Sequence, residues 1–70
     1  MKIERIEAEA AFIMLSKDEL IILNNALNEV CNGLDITDFS SRIGVEQEIA
    51  EKILEQIGDL IDRLEMSDGK

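Results

Sequence analysis

Between Ile49 and Leu64 an aliphatic residue stands at nearly every position that one side of an α-helix would present. Stepping about 100° per residue, Ile49, Ala50, Ile53, Leu54, Ile57, Leu60, Ile61 and Leu64 fall within an arc of about 140°. Every charged residue from Glu48 to Arg63 falls outside that arc. Strand alternation cannot produce this pattern, which predicts one amphipathic helix over residues 45–65. Gly58 sits on its charged side, where it costs about 1 kcal/mol relative to alanine. It is either tolerated there or marks a close approach by another backbone. A helix with one apolar side must pack it against something, and the rest of the chain has to supply that partner.

The segment beginning SKDEL supplies the first candidate. Ser16 followed by Glu19 is a capping box, and Asp18 suits the positive end of the helix dipole. Leu20, Leu23, Leu27, Val30 and Leu34 then recur at intervals of three and four. Gly33 is suited to a left-handed stop, so the spacing predicts a helix over 17–32. Between the two helices, Ile36, Phe39 and Ile43 predict a short helix over 36–43, capped by Asp35 or Thr37, with Gly44 turning the chain. The N-terminal run IERIEAEAAFIML has good helix formers, but no turn residue separates Leu15 from the cap at Ser16. Either one helix runs unbroken through residues 2–32, or residues 8–15 are extended. The alternation of Ala10, Phe12 and Met14 with Ala11, Ile13 and Leu15 favours a short strand. With no second strand and turn signal in view, its expected partner is the same strand of another subunit. The overall expectation is a mainly α, single small helical domain over residues 1–65, with a disordered tail over 66–70.

Size and composition narrow what such a domain does. Seventy residues bury a small share of their surface, and chains of this length usually recruit disulfides, a metal or a second subunit. Cys31 is the only cysteine and there is no histidine, which removes an internal disulfide and the usual zinc and haem ligand sets. A homodimer is the remaining expectation. The lone thiol fits a reducing compartment, no apolar run approaches the ~20 residues that span a bilayer, and no leader pattern is present. A cytoplasmic protein without membrane contact is expected. The net charge is −9, and residues 45–65 hold seven acidic side chains against Lys52 and Arg63. Such a surface repels nucleic acid and attracts basic proteins.

Three chemistries can be weighed on their residues. Phe39, Ile43, Gly44, Val45, Ala50 and Ile53 resemble the apolar and turn positions of a helix-turn-helix, which makes a DNA-binding regulator using residues 36–53 the alternative function. The residues it would offer to bases are Glu46, Gln47, Glu48 and Glu51, with Lys52 the only base nearby, so carboxylates would face phosphate. Asp35 and Glu46 have the spacing of the first and last ligands of an EF-hand loop, but Ser40 stands where that loop needs glycine. Ser16, Ser40, Ser41 and Cys31 lack a histidine base, and Cys31 falls within the apolar seam of its helix, so no enzymatic activity, cofactor or metal is expected.

The run LNNALNEVCNG followed by DFSSRIG, within residues 20–44, resembles a pattern of small uncharacterised bacterial proteins. The size, acidity and helicity are similar to those of small immunity and antitoxin proteins. The expected function is therefore a non-enzymatic, acidic protein–protein interaction module acting as a homodimer, with an immunity- or antitoxin-like role as one form. On the helical wheel Asn24, Asn25, Asn28 and Asn32 form one flank beside the seam, with Ile21 among them. Amides donate and accept hydrogen bonds and cost less to desolvate than carboxylates. Ile21, Asn25 and Asn28, together with Glu48, Glu51 and Glu55, are the candidate partner surface.

Overall fold

The computed structural model describes residues 1–68, with side chains through Met66. In chain order it contains strands β1 (Lys2–Ile6) and β2 (Ala11–Met14), helix α1 (Lys17–Asn28) prolonged by a π-helical turn (Glu29–Gly33), the short α2 (Phe39–Ile43), and α3 (Gln47–Asp68). The fold is mainly helical, as the sequence predicts, and it carries a two-stranded antiparallel sheet at its N-terminus.

The N-terminus carries the first correction. The extended segment is Ala11–Met14, and its partner is Lys2–Ile6 of the same chain rather than another subunit. The connection EAEA contains no Gly, Asn or Pro, which is why no hairpin was legible there; it is closed by the Glu7 N–H donating to the Ala10 carbonyl at 2.8 Å. Lys2 lies opposite Met14, Ile3 opposite Ile13, Arg5 opposite Phe12, and Ile6 opposite Ala11, so Glu4 is the extra residue of a bulge. Opposed residues share a face, and β2 alternates, so the bulge brings Ile3 and Ile6 to one side with Ala11 and Ile13. On the other side the Arg5 guanidinium lies 4.0 Å from the centre of the Phe12 ring.

Helix α1 begins as the capping box requires. Ser16 Oγ accepts from the Glu19 N–H at 3.1 Å, and Glu19 Oε1 accepts from the Ser16 N–H at 2.9 Å. Its end differs from expectation. Gly33 does not adopt a left-handed conformation; the last turn widens instead, and the Leu34 N–H reaches five residues back to the Glu29 carbonyl at 2.9 Å. A Cβ on Gly33 would meet only the end of the exposed, flexible Glu29 side chain, so neither a positive φ nor a fixed close contact requires glycine there. Helix α2 also starts later than expected. Residues 36–38 form its entry, and Asp38, not Asp35 or Thr37, stands at the boundary without a side-chain capping hydrogen bond, held at φ 55° in a conformation that aspartate tolerates better than most residues. Gly44 turns the chain as expected, at φ 102°. Helix α3 starts at Gln47 and runs through Asp68, three residues beyond Glu65. Of the tail expected over 66–70, Met66–Asp68 thus belong to α3, and residues 69–70 lie outside the described residues.

The main packing is α1 against α3. Their order of contact is inverted: Lys17 pairs with Glu65, the Asn24 amide lies nearest Gly58, and Gln47 hydrogen-bonds to Cys31. The helices are therefore antiparallel. Leu20, Cys31 and Ala50 are the buried core, flanked by half-buried Leu27, Leu54, Ile57 and Ile61. The buried thiol agrees with the position of Cys31 in the seam.

Candidate functional site

The helix pair has two unlike faces, and they follow from helical geometry. Only part of the apolar arc of α3 reaches α1: Ala50 is 2% exposed, while its neighbour Ile49 is 47% exposed. At about 100° per residue, Ala50, Leu54, Ile57 and Ile61 define the side of α3 that meets α1, and Ile49, Ile53, Leu60 and Leu64 are turned roughly a right angle away. On α1 the contact side runs through Leu20, Asn24, Leu27 and Cys31, and Leu23 and Val30 are turned away in the same sense. In antiparallel helices, side chains offset in the same sense from the contact line lie on the same side of the pair. Leu23 and Val30 thus join Ile49, Ile53, Leu60 and Leu64 on one apolar face, all exposed except the half-buried Val30.

The same construction places the sequence-predicted residues. Asn25, Asn28 and Ile21 are offset in the opposite sense on α1, as are Glu51, Glu55 and Glu48 on α3. The six candidates lie on the opposite side of the pair, with Asp62 beside them. Asn25, Asn28 and the three glutamates are exposed, and Ile21 is half-buried. Asn28 is also tied to its own helix, where its Oδ1 accepts from Asn32 Nδ2 at 2.9 Å. Asn24, at the contact line, is not part of this surface; its amide oxygen would lie 3.9 Å from a Cβ on Gly58. Gly58 is therefore approached by a side chain, with room for a methyl group.

The layer is held at both ends by polar groups. At one end Gln47 Nε2 donates to the Cys31 carbonyl at 2.9 Å, satisfying an acceptor at the widened end of α1. At the other end Lys17 Nζ lies 3.7 Å from Glu65, and the N-terminal ammonium of Met1 pairs with Glu19. That ammonium, with the Ser16 N–H, holds the Glu19 carboxyl below the usual carboxylate range.

An open apolar cleft of about 320 Å³ lies where the hairpin meets the helix pair, lined by Ile13, Met14, Leu15, Leu20, Leu60 and Leu64. It contains no charged or hydrogen-bonding side chain, so it can take up aliphatic surface and offers nothing for proton transfer or metal binding. Among the described residues, no group of three or more Cys, Asp or Glu side chains is gathered where a metal ion could sit, and no helix is long and apolar enough to cross a membrane.

The apolar face was missed from the sequence. The available signal was width: the apolar arc of α3 covers about 140°, whereas the residues that meet α1, Ala50, Leu54, Ile57 and Ile61, take up only about 60° of it. No protein-family model, curated protein or solved structure matches this chain.

Proposed function

We propose that this protein is a non-enzymatic, homodimeric interaction module whose acidic, amide-bearing face receives a basic protein. The observation that carries this reading is the segregation of the surface. Glu48, Glu51, Glu55 and Asp62 lie on one side of the helix pair beside Asn25, Asn28 and Ile21, within a chain of net charge −9. Clustered charge of one sign steers an oppositely charged protein into contact, and the amides and Ile21 supply short-range recognition. An immunity- or antitoxin-like role, in which the acidic face covers a basic surface, is the most specific form. A cytoplasmic setting suits the buried, unpaired Cys31.

The test is capture of partners from native lysate, by wild type and by the Glu51→Lys/Glu55→Lys variant, at physiological salt. Recovery of a basic protein by wild type and its loss with the variant is the expected result. Equal recovery by both would overturn the assignment of the face. Retardation of genomic DNA fragments at low salt would instead support the helix-turn-helix alternative over 36–53, against the carboxylates of Glu46 and Glu48 at the start of α3.

A further inference from the structure

We propose that the apolar face of the α1–α3 pair is the surface on which a second copy of this chain docks, giving a four-helix dimer with both acidic faces outward. This rests on the homodimeric reading above and names its surface. The first support is area. The accessible surface is 5695 Å², whereas a folded chain of 7.9 kDa exposes about 4,400 Å². The excess of about 1,300 Å² is spread over the chain, with Leu23, Ile49, Ile53, Leu60 and Leu64 of this face among its exposed contributors, and it exceeds the roughly 800 Å² that each partner buries in a stable interface. The second is compactness. The Cα radius of gyration is 13.9 Å, against about 11 Å for a compact domain of 70 residues, so the chain is less closed on itself than a domain with a complete core. Domains close a core between at least two layers, and a second copy on this face would supply the second.

The third support is chemistry. From Ile49 to Leu64 the stripe extends along α3 for about 22 Å, bordered by Gln56 and crossed by no charged side chain. It continues past Leu60 and Leu64 into the apolar cleft beside Ile13 and Met14. Two copies meeting through their acidic faces would oppose like charges, whereas two copies meeting here bury only aliphatic side chains. A symmetric dimer also needs a patch that complements itself, and a stripe of interchangeable Ile and Leu side chains meets that condition.

The experiment is sedimentation equilibrium at micromolar concentration on wild type, Leu60→Glu and Ile22→Glu, with helical circular dichroism recorded on each. Wild type is expected to be dimeric, Leu60→Glu to raise the dimer Kd at least about a hundredfold, and Ile22→Glu, exposed on the side of α1 turned away from α3, to leave it within a few fold. A monomeric wild type would overturn the homodimeric reading together with this surface. A dimeric wild type that Ile22→Glu dissociates and Leu60→Glu does not would keep the homodimer and overturn this face. Thiol labelling read peptide by peptide covers the case in which Leu60→Glu unfolds. In Ile53→Cys the new thiol should be protected as concentration rises through dimerisation, while in Glu55→Cys it should stay reactive. Protection at Glu55→Cys alone would place the interface on the acidic side and overturn the proposal.

Discussion

The two faces of the helix pair are built on the same two helices and differ only in which way their residues are turned from the line of contact. On one side Leu23, Ile49, Ile53, Leu60 and Leu64 leave aliphatic surface in water; on the other Asn25, Asn28, Glu48, Glu51 and Glu55 are well solvated. Between them lies a thin core of Leu20, Cys31 and Ala50. The contrast teaches that this chain uses part of its hydrophobic surface to hold α1 against α3 and leaves the rest exposed. A monomer that spent its whole apolar arc on its own core would need a third helix to cover it, and the five-residue α2 is too short to do so.

Substitutions separate the two faces and the line between them. The largest effect is expected at the line itself: Leu20→Ala, at a buried position, should cost about 2–4 kcal/mol in denaturant unfolding. If it cost less than the same change at exposed Leu23, the assignment of core and face would be reversed. Next comes a matched pair, Leu64→Lys and Glu55→Lys, which place the same charge on opposite sides. The first should weaken self-association by about 2 kcal/mol or more, measured by sedimentation. The second should change stability by no more than about 0.5 kcal/mol while reducing capture of a basic partner.

Gly58→Ala should then raise stability by about 1 kcal/mol, because its Cβ would stand 3.9 Å from the Asn24 amide oxygen without strain. A loss of stability would show that α1 and α3 approach more closely there. The smallest expected effect is on pH. The Glu19 carboxyl is held below its usual range by the N-terminal ammonium and the Ser16 N–H, so its contribution is present above the unfolded carboxylate pKa and is lost as pH falls through the folded one. Chemical denaturation on acidification should therefore show a smaller loss in Glu19→Gln than in wild type.

Much of this architecture is legible in individual residues. Ser16 and Glu19 announce the start of α1, Gly44 the turn before α3, and the period of Ile49 to Leu64 the long helix, because each signal depends on neighbours within one or two turns. The π-helical turn at Glu29–Gly33 was not legible: Gly33 reads as an ordinary helix stop, and the Cys31 carbonyl finds its partner sixteen residues away in Gln47. The β1 strand was missed because EAEA carries no turn residue and the bulge at Glu4 breaks the alternation that would have revealed it. For the candidate surface, the wheel grouped Ile21, Asn25 and Asn28 on one flank, but their side-by-side relation to Glu51 and Glu55 requires the antiparallel pairing of the helices.

Local periodicity is therefore enough to state that this chain forms amphipathic helices, where α1 begins, and which side of each helix is apolar. It leaves the rotation of each helix about its axis undetermined, because an arc of about 140° can meet a neighbour along either edge. Packing made that choice. Ala50, 2% exposed, is small enough to let α1 come close, so the contact line falls on its side of α3, and the bulkier Ile49, Ile53, Leu60 and Leu64 are left facing outward.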